Sequence, residues 1–181
     1  MKKSQLDHLL RAASRITKEK QFIIIGSQAL HAKFPDFPDS ISISNEADII
    51  AKNKPRITDW LNAIGADSQF HETYGYYADP VDEETATLPE GWKDRLVQLP
   101  PGDTGGAIGY CLDPHDLAIS KYVARRPKDI DFNRAMAERG IVKRENLLAL
   151  LELTSIPGAD KKRISDYIDR DFQKTASGAS R

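Results

Sequence analysis

Phe22-Ile23-Ile24-Ile25 is a short, wholly apolar run, and Gly26 closes it at once. It is far too short to span a bilayer, and its β-branched and aromatic side chains predict a buried strand over Gln21 to Ile25. A helix is expected to follow over Ser27 to Phe34, stopped by Pro35 and Pro38. Further strands are expected over Ala47 to Ala51, Tyr74 to Ala78, 94 to 99 and 107 to 112, with a short extended piece over Ile41 to Ser44. Leu6, Leu9, Leu10, Ala13 and Ile16 recur at helical spacing, so residues 5 to 18 read as an amphipathic helix with Ser4 as its N-cap. Residues 56 to 64 read as another helix, closed by Gly65. At Asp113-Pro114 the pattern changes, and helices are expected over 114 to 125, 128 to 139, 143 to 153 and 157 to 172. The fold class is therefore α/β (α+β). Residues 1–112 form an α/β core with an N-terminal helix, 113–174 a helical subdomain, and 175–181 a small, polar tail without fixed structure.

The 181 residues are 40% hydrophobic and 29% charged, enough for a core without disulfides or a structural metal. The formal net charge of −1 excludes a global positive field that would gather nucleic acid. The densest basic stretch is Lys121 to Arg126 with Lys128. Cys111 is the only cysteine, so one chain can build neither a disulfide nor a cysteine zinc site, and a buried small side chain in a reducing compartment is the simplest reading. The basic N-terminus is followed by Asp7 and His8 rather than an apolar stretch, so no signal peptide is read and the expected location is the cytoplasm, with no membrane partner.

Two segments carry chemistry. Gly26 permits close backbone approach to a ligand, and Ser27 stands at a helix start, where amides and a hydroxyl can hold phosphate. About twenty residues on, Glu46-Ala47-Asp48 lies at the head of a strand, whose alternation puts Glu46 and Asp48 on one face. Adjacent carboxylates repel until a cation neutralises them, and Mg²⁺ prefers such oxygen ligands. A third segment, Asp113-Pro114-His115-Asp116-Leu117-Ala118-Ile119-Ser120-Lys121, runs on to Lys128-Asp129-Ile130-Asp131. Lys121 lies among apolar helix neighbours, where it must reach solvent or meet an anion. Asp129 and Asp131 open the next helix, where acids suit the dipole. No zinc pattern, Gly-x-Gly-x-x-Gly, Walker A lysine or nucleophile elbow occurs. His31, His71 and His115 have ordinary structural readings, and Tyr74, Tyr76 and Tyr77 read first as core.

Strand, Gly-Ser turn, helix, then acid-x-acid on a neighbouring strand resembles the DNA polymerase beta-type nucleotidyltransferase superfamily. Together with the Lys121 to Asp129 stretch it is similar to the AbiEii-like toxins of type IV toxin–antitoxin systems and related bacterial nucleotidyltransferases. The resemblance covers roughly residues 20 to 140. It implies a mixed-sheet nucleotidyltransferase core, a nucleoside triphosphate (NTP) as donor, and two Mg²⁺ ions on Glu46, Asp48 and a third acid. Asp79 is the first choice for that acid, with Asp82 and Asp94 as runners-up. The resemblance further implies that Gly26 and Ser27 form the phosphate turn, that Lys121 contacts the triphosphate, and that Asp129 positions the nucleotide or acts as base. The acceptor would be RNA or tRNA, a protein hydroxyl or a small molecule, and an antitoxin would be a partner. The usual pair opens with Asp, and Glu46 is longer by a methylene. A nucleotide-binding protein without turnover, and an antitoxin-like interaction module, are the competing readings.

Overall fold

The apolar strand takes the middle of a five-stranded mixed sheet. In the computed structural model, which describes residues 1–34, 37 and 44–178, with side chains to Gln173, α1 (Lys3–Thr17) leads into β1 (Gln21–Ile24). A 3₁₀ turn (Ser27–Ala32) precedes β2 (Glu46–Ala51). A longer 3₁₀ stretch (Pro55–Ile64) and α2 (Gln69–Tyr74) lead to β3 (Tyr77–Pro80), and β4 (Val97–Gln98) and β5 (Ile108–Cys111) complete the sheet. The strand order is β3-β2-β1-β5-β4. β1 runs antiparallel to β2 and parallel to β5, β2 parallel to β3, and β4 antiparallel to β5.

Register gives the sheet two unlike faces. Phe22, Ile24, Ala47, Ile49, Ala78 and Cys111 fall on one parity, and all are fully buried. Helix α1 covers this face: a Cβ added at Gly109 would stand 2.9 Å from Ile24 Cδ1 and 3.2 Å from Leu10 Cδ1. Glu46, Asp48, Tyr77 and Asp79 fall on the other face and are half-buried. Cys111 is wholly buried, and burial pushes its thiol up to about 12, so it is an inert core group.

Several local expectations shift. Lys2, not Ser4, stands at the N-cap of α1. The segment after Gly26 winds as a 3₁₀ turn ending at Ala32 rather than a helix to Phe34. Tyr74 closes a helix rather than opening a strand: Ser68 accepts from His71 N at the helix start, and Gly75, at φ 75°, ends it. The strand follows over Tyr77–Pro80. Of the expected 94–99 strand only Val97–Gln98 pairs, because Trp92–Arg95 coils into a 3₁₀ turn. Residues 41 to 43 of the expected extended piece, with Pro35 and Pro38, lie outside the described residues.

The chain divides into two compact units, Met1–Thr85 with Arg95–Leu112, and Ala86–Asp94 with Asp113–Arg181. The second holds α3 (Pro114–Ala124), α4 (Pro127–Glu138), α5 (Arg144–Glu152) and α6 (Gly158–Gly178). Asp113 caps α3 by accepting from His115 N at 2.8 Å. Arg125 leaves the helix at φ 49°, and Arg126 is extended because the ring of Pro127 excludes helical geometry before it. Leu117, Ile119, Met136, Leu147, Leu151 and Ile168 form the core of this unit. Glu90 N donates to Leu153 O at 2.8 Å, tying segment 86–94 to the helices. Helix α6 runs on to Gly178, through the first residues of the expected tail; residues 179–181 lie outside the described residues. Among the described residues no helix is long and apolar enough to cross a membrane.

Candidate functional site

Three acids of the first unit share the half-buried face. In the parallel β2–β3 pair Asp48 is in register with Asp79 and Glu46 with Tyr77. Paired positions in a ladder share a face, and two-residue alternation adds Glu46 to that of Asp48. Asp79 is thus the third acid that the fold sets beside the other two. Asp82 is exposed and spends its carboxylate on Glu84 N and Thr85 Oγ1, and Asp94 lies exposed in the second unit.

Gly26 completes the arrangement from β1. A Cβ built there would stand 1.9 Å from Asp48 Oδ2 and 2.8 Å from Asp48 Cγ. The Asp48 carboxylate therefore rests on the Gly26 backbone, in a space any other residue would fill. Ile25 N donates to Asp48 O at 3.1 Å, fixing the two segments together. Ser27 follows at the start of the 3₁₀ turn, half-buried.

Burial, then the charge of Glu46, raises Asp79 above the ordinary carboxylate range. The Tyr77 hydroxyl donates to Glu46 Oε2 at 2.8 Å. That hydrogen bond, burial, and the charges of Glu46, Asp79 and Asp48 push Tyr77 up to about 12, so it stays a donor and fixes Glu46. The sequence alone reads Tyr77 as core. Its pairing with Glu46 depends on register, which the sequence does not display.

A raised carboxyl contributes stability that is complete below its unfolded pKa and is lost as pH rises through its folded value. Asp79→Asn should accordingly melt higher than the parent at neutral pH without divalent cation, by about 2 °C, and the gain should vanish near pH 4. Thermal melts across pH check this; a lower melting temperature at neutral pH contradicts the repulsion.

Three carboxylates offer only hard oxygen donors, which suit a hard divalent cation such as Mg²⁺. Their repulsion and the glycine-lined seat of Asp48 fit the same group. Among the described residues no three His, Cys, Asp or Glu side chains are grouped so that they could together hold a metal ion. Mg²⁺ characteristically takes one or two carboxylates and completes its shell with water and substrate phosphates.

Lys121 and Asp129 belong to the second unit, where they bond to each other. Lys121 Nζ donates to Asp129 Oδ1 at 3.1 Å and lies 4.5 Å from the Phe132 ring centroid. Arg126 donates to Asp129 Oδ2 from Nε at 2.7 Å and from its backbone N at 3.1 Å. Burial pushes the Asp129 carboxyl up, but Arg126 and Lys121 more than offset this and hold it below the usual range. Such a carboxylate is a weak proton acceptor, so its geometry suits positioning of the two cations rather than base catalysis. His115 bridges Asp113 and Lys143 N, a structural role. Tyr76 is buried with its hydroxyl 2.6 Å from His8 Nδ1, while Tyr74 is exposed.

No curated protein and no solved structure matches the chain. A family model does match, over residues 4–174, and its description is a nucleotidyltransferase of unknown function. That span takes in both units and every acid discussed above, and the mixed sheet with Gly26 beneath Asp48 is consistent with a nucleotidyltransferase fold. With nearly the whole sequence so matched, the chain belongs to the DUF6036 family of nucleotidyltransferases.

Proposed function

We propose that the chain moves a nucleotidyl group from an NTP to a hydroxyl acceptor, in a reaction that depends on a divalent cation and centres on Glu46, Asp48 and Asp79. The observation that carries this reading is the register of Asp79 with Asp48, beside the glycine seat that admits the Asp48 carboxylate. The acceptor hydroxyl would lose its proton to solvent and its oxygen would bond to the α-phosphorus, while the bond from that phosphorus to the pyrophosphate oxygen breaks and pyrophosphate leaves. Bound Mg²⁺ would supply charge neutralisation of the phosphates and a more acidic acceptor hydroxyl. Glu46 and Asp48 would hold the cation, with Asp79 as the added acid. Tyr77 orients Glu46, and Gly26 orients Asp48. Ser27 and the Gly26 turn would hold phosphate. Little covalent work falls to the protein, because such transfers rest on positioning and charge. The finer placement beside AbiEii-like toxins, with an RNA or tRNA acceptor and an antitoxin partner, rests on the resemblance of the Lys121 to Asp129 segment taken together with Gly26-Ser27 and Glu46-Ala47-Asp48.

Thermal melting with each of the four NTPs, with and without Mg²⁺, tests the proposal. One nucleotide should stabilise the protein only with Mg²⁺, by about 2.7 kcal/mol at a hundredfold excess over Kd. Asp48→Asn should abolish that gain while melting close to the parent without ligand. Pyrophosphate release with that nucleotide separates turnover from binding alone. Absence of any Mg²⁺-dependent shift would sink the assignment.

A further inference from the structure

A groove of about 290 Å³ opens in the first unit between the end of α1 and the turn at Gly105, and Arg11, Ser14, Arg15, Lys18 and Lys20 line it with that glycine. No acid lines it. Arg11 is ion-paired with Asp103, so its charge is largely spent. Lys20 Nζ reaches the Gly105 carbonyl at 3.4 Å, a long contact that keeps its charge. Arg15 and Lys18 are exposed, and among the described residues neither side chain forms an ion pair with an acid. Glu19, the one acid within this stretch, is turned away: it accepts from Lys20 N at 2.7 Å, Gln21 N at 2.9 Å and Asn53 Nδ2 at 3.1 Å. The Ser14 residue is only 5% exposed, and its hydroxyl is buried without a hydrogen-bond partner.

Cations at a helix C-terminus complement its dipole, and that accounts for Arg15 and Lys18 singly. It does not account for their gathering with Lys20 around one concavity, in a chain whose net charge is −1, while the local acid faces elsewhere. We propose that this groove is a phosphate-binding site formed by Arg15, Lys18 and Lys20 beside Ser14. It lies at the other end of β1 from the carboxylates. Lys20 precedes the strand and Gly26 follows it, a separation of roughly 20 Å at strand rise. A phosphate held here is therefore not part of a triphosphate on the Gly26 turn. The chemistry is that of phosphate oxygens, whether on a free polyphosphate or along a nucleic-acid backbone.

Fluorescence anisotropy of a labelled twelve-nucleotide oligouridylate, and calorimetry with inorganic tripolyphosphate, both in EDTA at low salt, test the site in the full-length chain. EDTA leaves the carboxylate face without cations, so failure here and failure of the transferase reading are separate results. At least one probe should bind. Arg15→Glu/Lys18→Glu should weaken it about tenfold or more, and the milder Arg15→Gln/Lys18→Gln by less. For the oligonucleotide the slope of log affinity against log salt should fall by about 1.4 in the Gln variant. Asp48→Asn should change none of this. Binding of tripolyphosphate alone identifies a free phosphate compound as the occupant, and binding of the oligonucleotide alone identifies a strand. Binding of neither, or binding indifferent to both double variants, overturns the proposal.

Discussion

Gly26→Ala should leave the chain folded and disable the carboxylate face. The Gly26 backbone, at φ −91° and ψ −164°, is open to alanine, so no backbone strain arises. The cost is the clash: the new methyl would stand 1.9 Å from Asp48 Oδ2 and 2.8 Å from Asp48 Cγ, but 3.4 Å from Asp48 Cβ. The whole Asp48 carboxyl group must yield, and a rotation about its Cα–Cβ bond, which carries Cγ as well as the oxygens away, relieves the clash. Stability should fall by about 1 kcal/mol, as for a small overpacking. Function should suffer far more, because the oxygens must move by more than an ångström, and a misplacement of about 1 Å can cost around a hundredfold in rate. Pyrophosphate release should drop by about that factor, and Mg²⁺-dependent nucleotide stabilisation should disappear, while the melting temperature falls by only a few degrees. Unaltered turnover in Gly26→Ala would remove Asp48 from the reaction.

Asp129→Ala carries the opposite signature, a large loss of stability from the second unit. The Asp129 side chain is fully buried, accepts from Arg126 and Lys121, and satisfies the Arg126 amide at the head of α4. Its removal leaves Lys121, whose side chain is only 13% exposed, with the Phe132 ring in place of an anion. Breaking a buried pair from one side costs about 3–5 kcal/mol. Arg126 is 59% exposed and can turn to solvent, which places the expected loss near the lower end, about 3 kcal/mol. Asp129→Asn keeps an acceptor for the amide and should lose less. The pH dependence follows from the sign. The folded pKa lies below the unfolded one, so the stabilisation is complete above about 3.9 and lost as pH falls through the folded value. Urea melts of parent and Asp129→Asn should differ most at neutral pH and converge in acid. A gap that is the same at pH 3 and pH 7 would show that charge is not what holds the pair.

Local signals carry far into this fold, and non-local ones do not. β1 and β2 and the four C-terminal helices are legible because each owes its form to its own apolar pattern and its own caps. The Tyr74 to Tyr77 region misleads because aromatic residues favour strands, yet Ser68 and Gly75 are present as helix start and stop signals and prevail in the structure. Glu46 and Asp48 can be placed on one face from alternation alone. No spacing in the sequence makes Asp79 the neighbour of Asp48, since that depends on a parallel register joined through two intervening helical stretches. The close seat of Asp48 on Gly26 and the Tyr77 bond to Glu46 are likewise products of tertiary packing. The basic groove brings α1 to a turn beyond residue 100, a meeting no local pattern records.

Among the described residues β3 and β4 form the two rims of the sheet, and such rims are where foreign chains stick. β4 has only two residues, too few to template a ladder. β3 is defended by chemistry. Tyr77 N and Val81 N donate inward to Asn45 O and Ile49 O, so Pro80, of opposite parity, stands where an amide would face outward, and it has none. Asp79 beside it gives any incoming copy of the same strand a like charge to meet. The acid that shares the face of Glu46 and Asp48 thus doubles as a guard against self-association, and replacing Asp79 with an apolar residue should lower solubility.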